Sequence, residues 1–334
     1  PISARPETRG GAVPGKPIHT GPPADSPMDT RAFREFIRLG RFPFLLSGFI
    51  PFAGGALLAF LLGAQFTPAQ FFLGYAVMAA AHLSVHYSND YFDADADRFA
   101  ETTAISGGSG VLAANPGLKP AALSAAVVLM AVSVLIGYAF MAVYDYPPIF
   151  LAFSVAGNLL GWSYTAPPLA LAYRGLGEVT NMITFGLLMP GAGYFVARGT
   201  LDPAFFAFSL PLFLYGLVFI VSVEIPDMEG DIAGGKPTLV VRKGRIYGFS
   251  LIALAATLAT GTLVSLALAG AFSPVDFRPV AFASLVPLSI ALWGFLHRCA
   301  DRAPALRYAT ANIMGYFIFQ GLVVLYFVIA AGWV

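Results

Sequence analysis

Residues 69–97 read AQFFLGYAVMAAAHLSVHYSNDYFDADAD. The first two dozen, 69–92, are mostly apolar or small, long enough to carry an α-helix across the ~30 Å hydrocarbon core of a bilayer. The run then gives way to Asn89 and to Asp90, Asp93, Asp95 and Asp97. Lipid offers backbone N–H and C=O groups no partner, and the stretch lacks the strict alternation of a barrel strand. A membrane-spanning helix with an acidic end is the reading that remains.

Composition extends that reading to the rest of the chain. Of 334 residues 57% are hydrophobic and only 11% charged, against roughly 25% charged in a soluble domain; the mean hydropathy is +0.74. So few charges cannot cover a water-facing surface, which argues against a soluble two-domain protein. A net charge of +1 gives no basis for binding nucleic acid, and Cys299, the single cysteine, cannot form an internal disulfide. Apolar segments at about 42–62, 69–92, 120–143, 147–165, 176–197, 203–225, 246–271, 278–297 and 308–332 predict an all-α, polytopic protein with nine transmembrane helices. Residues 1–30, rich in Pro, Gly and small polar residues, read as a disordered tail without a catalytic role, and 31–334 as a single helical domain. With the N-terminus in the cytoplasm, Arg198 and Arg278 alone among the 19 lysines and arginines fall on the far side. That bias satisfies the positive-inside rule, and with nine crossings puts the C-terminus opposite the N-terminus.

The chemistry sits at two acidic ends. At about 100° per residue, Asn89, Asp90, Asp93 and Asp97 share an arc of roughly 100°, while Asp95 points away as a solvated bystander. Residues 224–231, Glu-Ile-Pro-Asp-Met-Glu-Gly-Asp, close the sixth span. If the helix persists there, Asp227 and Asp231 stack one turn apart, with Glu224 on their face and Glu229 turned away. Aligned carboxylates repel one another, each costs about 3 kcal/mol at membrane depth, and helix C-termini are already negative. Arg98 and Lys236 cannot neutralise five aspartates. A divalent cation can, and an all-oxygen ligand set favours Mg²⁺ or a close substitute such as Mn²⁺ over zinc. Mg²⁺ usually shares its shell with substrate phosphates, so two such clusters facing each other describe a diphosphate site. A cation-coupled transporter also keeps carboxylates in a bundle, but its sites favour the bilayer midplane and paired repeats. Here the acids lie at the rim.

These motifs resemble the UbiA superfamily of intramembrane prenyltransferases, over nearly the whole chain from Arg31. Asn89, Asp90, Asp93 and Asp97 fit its NDxxDxxxD motif. Asp227 and Asp231 fit DxxxD, followed by Gly-Gly-Lys-Pro-Thr-Leu at 234–239, and Tyr164-Thr-Ala-Pro-Pro-Leu and Arg174-Gly-Leu-Gly-Glu178 are similar to the loop after the fourth span. The resemblance implies a lipid-open central cavity capped by cytoplasmic loops. In it Asp90, Asp93, Asp97, Asp227 and Asp231 hold two Mg²⁺ ions and, through them, the diphosphate of an allylic prenyl donor. The prenyl group then passes to an electron-rich, lipid-soluble acceptor, and the aromatic-rich walls stabilise and shield the cation.

Supporting residues have two readings each. Asn89, Lys236 and Arg174 pair with diphosphate oxygens, or the two basic residues are positive-inside anchors. Tyr164 donates to phosphate, or belongs to the interfacial aromatic belt. His82, His86 and Asn181 line the acceptor pocket, or make interhelical hydrogen bonds. Asn158, Asn312 and Gln320 read as helix glue. The chain departs from many family members at Ala170 and Ala172, where those carry basic residues, and in the Gly/Ser-rich run 102–110, which either offers backbone N–H groups to phosphate or is simply a loop. Its Ser-Gly-Gly-Ser-Gly-Val-Leu and Tyr-Arg-Gly-Leu-Gly-Glu stretches look most like the 1,4-dihydroxy-2-naphthoate prenyltransferases of menaquinone synthesis. The other acceptors left open are 4-hydroxybenzoate, homogentisate, a chlorophyll precursor or a glycerol lipid.

Overall fold

The computed structural model describes residues 30–99 and 108–333; residues 1–29 and most of the 102–110 run lie outside them. Every regular element among the described residues is helical. In chain order these are α1 (Thr30–Leu39), α2 (Leu45–Leu61), α3 (Pro68–Asp93), α4 (Val111–Ala114), α5 (Lys119–Tyr144), α6 (Ile149–Ser163) and α7 (Gly177–Ile183). They continue with α8 (Met189–Arg198), α9 (Pro203–Gly234), α10 (Leu239–Lys243), α11 (Arg245–Leu268), α12 (Arg278–Ala283), α13 (Leu285–Leu296) and α14 (Arg302–Ala330).

Among the described residues eight stretches are long and apolar enough to cross a membrane. The expected count of nine is not reached by that measure. The fourth predicted span, 147–165, forms only the 15-residue α6, about 22 Å long at 1.5 Å per residue and shorter than the hydrocarbon core. Pro147 and Pro148 precede its first turn, and the chain beyond Ser163 turns into the loop at the acidic rim. The sixth predicted span, 203–225, is too short in the other direction. α9 continues to Gly234, and the whole second acidic motif is helical.

Start signals follow ordinary rules. Thr67 caps α3 by accepting from the Gln70 N–H at 3.2 Å, and Gln70 answers by accepting from the Thr67 N–H at 2.8 Å, a capping box with Pro68 at the first helical position. Asp202 caps α9 in the same way through the Phe205 N–H. α2 and α8 cross closely because both lack side chains at the crossing. A Cβ on Gly55 would meet the Pro190 carbonyl oxygen at 1.9 Å, and one on Gly193 the Phe52 carbonyl oxygen at 1.8 Å. The largest apolar core gathers around α2, α8, α9, α11 and α14, with Tyr194, Tyr215, Phe205 and Phe249 fully buried. Between α7 and α8 the helix widens into one π-helical turn, Thr184–Leu188, and π turns recur at functional sites. Thr184, Phe185 and Leu188 all face the central cavity.

Candidate active site

That cavity has a volume of about 260 Å³. Its walls are mostly apolar and include Met78, Phe153, Phe185, Leu188 and Phe219, and its polar lining includes His82, His86, Asn89, Asn158, Tyr164 and Asn181. The five aspartates of the two motifs gather at its rim, beside Tyr164. Helix α3 ends at Asp93 rather than running on to Asp97, so Asp97 arrives by a turn and a short 3₁₀ segment, Asp97–Phe99. It nonetheless faces Asp90, Asp93 and Lys236. Gly108 packs against it so tightly that a Cβ would lie 2.2 Å from its Oδ2. From α9, Asp231 faces Asp93, Asp97, Asp227 and Lys236.

Two cations already stand among these acids. Lys236 Nζ donates to Asp93 Oδ2 at 2.7 Å, and the Tyr173 hydroxyl donates to Asp93 Oδ1 at 2.8 Å. Arg41 pairs with Asp90 Oδ1, and the Ser109 hydroxyl donates to the other oxygen of the same carboxylate. Arg41 has a left-handed backbone, φ 43° and ψ 46°, a strained conformation for a side-chain-bearing residue. Asp95 is exposed and forms ion pairs with Arg98 and Lys119. Glu229 likewise turns outward to Arg245.

The electrostatics record a surplus of acid. Burial, with the neighbouring Asp93 and Asp90 carboxylates, pushes Asp97 up to about 7 despite Lys236. Burial opposes the Lys236 charge, yet the Asp93 carboxylate beside it raises its pKa and keeps it an ammonium. Among the described residues no three acidic or imidazole side chains already stand at metal-ligand spacing; one oxygen of Asp90 is held by Arg41 and one of Asp93 by Lys236. Five carboxylates with two paired cations still suit hard divalent ions by donor chemistry.

The remaining predicted residues divide. Asn89 accepts from the Thr165 hydroxyl at 2.9 Å, which ties α3 to the loop after α6. Tyr164 shares a hydrogen bond with Asn181, whose amide also donates to the Gly177 carbonyl at 3.0 Å. His82 and His86 contact ring to ring, with centroids 4.7 Å apart. His86 Nδ1 lies 2.7 Å from the Gly40 carbonyl. A carbonyl only accepts, so Nδ1 carries the proton, and when the ring is neutral its Nε2 is left as an acceptor. Arg174 is not brought to the acids: its side chain is exposed and donates to the Pro168 carbonyl at 2.8 Å.

Sequence reading missed Arg41, Ser109 and Tyr173. In the sequence Arg41 reads as one more basic residue before the first span, and Tyr173 has nothing to set it apart beside the charged Arg174. It also gave no role to Glu178, which hydrogen-bonds the buried carboxyl of Glu224 and accepts from the Leu239 N–H at 2.5 Å. That pair fastens the segment carrying Lys236.

The sequence profile of the UbiA prenyltransferase family matches residues 48–318. Over 254 residues the chain is 26% identical to the 1,4-dihydroxy-2-naphthoate octaprenyltransferase of Bacillus subtilis, covering 73% of this chain and 78% of that one. Over 95 residues, 28% of this chain and 31% of the other, it is 30% identical to the 2-carboxy-1,4-naphthoquinone phytyltransferase of Synechocystis. A UbiA homologue from Archaeoglobus fulgidus, solved with GPP and Mg²⁺ bound, superposes with a TM-score of 0.65 at 16% identity, covering 89% of this chain and 99% of that one. With the family profile spanning most of the helical bundle and the same fold in solved homologues, the chain belongs to the UbiA prenyltransferase family and is an integral membrane prenyltransferase.

Proposed function

We propose that the protein transfers a prenyl group from an allylic prenyl diphosphate to an aromatic acceptor of the 1,4-dihydroxy-2-naphthoate type, in a Mg²⁺-dependent reaction at the acidic rim. The observation that carries this reading is the acid cluster around Asp93 and Asp97 at the mouth of an apolar cavity with an imidazole pair in its wall. The Bacillus subtilis relative acts on that acceptor by name, and the Archaeoglobus fulgidus homologue binds a prenyl diphosphate with Mg²⁺.

Asp90, Asp93, Asp97, Asp227 and Asp231 would hold the metal. Bound there, Mg²⁺ supplies compensation for the negative charge that grows on the departing diphosphate. Lys236 and Arg41 exchange their carboxylate partners for diphosphate oxygens, keeping the leaving group at the rim. Tyr173 and Ser109 hold Asp93 and Asp90 in place while this happens. Phe153, Phe185, Phe219 and Leu188 receive the prenyl chain and keep water from the allylic cation. Nε2 of His86 accepts the hydroxyl proton of the acceptor, which makes its ring more electron-rich. As the allylic C1–O bond breaks, C1 bonds to a ring carbon, which gives up its hydrogen as a proton or its carboxyl group as CO2, and diphosphate leaves at the rim. Arg174 has no part in this set.

The test is purified protein with Mg²⁺, a labelled prenyl diphosphate and a panel of aromatic and glycerol-lipid acceptors. Prenylated 1,4-dihydroxy-2-naphthoate is the expected product, lost with EDTA and restored by Mg²⁺ or Mn²⁺. Turnover in metal-free buffer would overturn the metal role, and turnover only with a glycerol lipid would overturn the acceptor.

A further inference from the structure

α1, Thr-Arg-Ala-Phe-Arg-Glu-Phe-Ile-Arg-Leu, divides its circumference into three sectors at about 100° per residue. One faces the protein. Leu39 is fully buried, the Phe36 carbonyl accepts from the Tyr87 hydroxyl at 3.3 Å, and the Phe36 ring lies 5.2 Å from that of Tyr87. At the edge of this sector Glu35 accepts from Asn115 at 2.9 Å and from Arg31 at 3.1 Å. The second sector holds Phe33 and Ile37, 55% and 41% exposed. The third holds Arg31, Arg34 and Arg38 within about 60° of one another, all exposed.

The apolar sector is continued by the chain into the bundle. Phe42, Phe44 and Leu46, exposed by 44%, 39% and 59%, lead into α2. Two aqueous-facing aromatic or aliphatic side chains beside a row of guanidiniums suit the plane of a membrane surface. There the apolar groups enter the acyl boundary and the cations meet headgroup phosphates. Net negative headgroups add an attraction that a zwitterionic surface lacks.

We infer that α1 is an interfacial docking helix that binds anionic phospholipid headgroups through Arg34 and Arg38 with Phe33 and Ile37 immersed. The consequence reaches the active site within two residues. Gly40, whose carbonyl holds His86, and Arg41, which holds Asp90, follow α1 directly. Docking on lipid therefore steadies the segment that supplies both contacts.

The test reads immersion and needs no substrate, so it is independent of the acceptor proposal. In a Cys299→Ser background a nitroxide is placed at Phe33→Cys, and in parallel at Ile37→Cys, positions too exposed to disturb packing. The full chain is reconstituted in phosphatidylcholine alone or with a third phosphatidylglycerol. Accessibility to oxygen is then compared with accessibility to a water-soluble nickel chelate. The expected result is a several-fold higher oxygen-to-nickel ratio at both positions in the anionic membrane, falling to the neutral-membrane value with Arg34→Gln/Arg38→Gln. Water-accessible labels in both membranes, a ratio indifferent to the double neutralisation, or shielding that appears only when an acidic soluble protein is added would each overturn it.

Discussion

Asp93 and Asp95 are two residues apart and chemically identical, yet the fold gives them opposite circumstances. Asp93 is buried between Tyr173 and Lys236, whereas Asp95 is exposed between two surface cations. Asp93→Asn should lower kcat/KM by at least about 100-fold, the scale expected when charge stabilisation in the transition state is removed, while Asp95→Asn changes it by less than about threefold by the same measure. Steady-state kinetics with labelled donor read the difference, and equal losses would contradict the assigned faces. Helical spacing alone separated these two aspartates, so this much was legible in the sequence. The counter-charges were not, because the Arg41–Asp90 pair joins residues 49 apart and no local pattern announces it. Arg41→Gln should raise the donor KM about 10- to 100-fold, as loss of a partly buried charge-assisted contact does. Arg174, whose side chain is exposed and donates to the Pro168 carbonyl, should leave it within about threefold when changed to Gln (Arg174→Gln). The reverse order would restore the sequence-level reading of Arg174.

At the scale of elements, the second acidic motif works because α9 does not stop where its apolar run does. It carries Pro226 in its interior and continues to Gly234. Near this end Arg245 and Arg302 donate to the carbonyls of Ile225 and Pro226 at 2.8 and 2.9 Å. Hydropathy marks where lipid contact ends, not where hydrogen bonding ends, which is why the predicted boundary fell at 225. The loop that follows is anchored from another helix. Glu178, at the first turn of α7, meets Glu224 of α9 and takes the Leu239 N–H, so two buried acids and one backbone donor fix the segment bearing Lys236. Glu178→Gln keeps an acceptor for Leu239 and a partner for Glu224 and should retain most activity. Glu178→Ala leaves buried polar groups unmatched at about 1–3 kcal/mol. It should lower thermal stability in detergent and raise the donor KM about tenfold through a looser Lys236. Equal behaviour of the two variants would mean that the pair does not position the loop.

For the whole molecule, the sequence settled helix type and most boundaries, since lipid admits few alternatives to a helix. It read 147–165 as a full span, because an apolar stretch looks the same whether its ends are helical or, as here, are turns around Pro147, Pro148 and Tyr164. The membrane side of the acids rests on basic-residue counting alone. The structure joins the two motifs at one end, through Lys236 on Asp93 and the packing of Gly234 against Ala96, where a Cβ would come within 2.8 Å of the Ala96 Cβ. If the positive-inside bias governs orientation, that end is cytoplasmic. In a Cys299→Ser background, cysteines at Phe99 and Ala233, both exposed near the acids, should react with an impermeant maleimide in inside-out vesicles and resist it in right-side-out ones. A cysteine at Thr200, exposed between α8 and α9, should show the opposite pattern. Uniform inversion of all three would turn the protein over and put the diphosphate outside. Labelling of positions 99 and 233 from opposite faces would separate the motifs by the ~30 Å hydrocarbon core, a gap no diphosphate spans, and the shared acidic site would have to be given up.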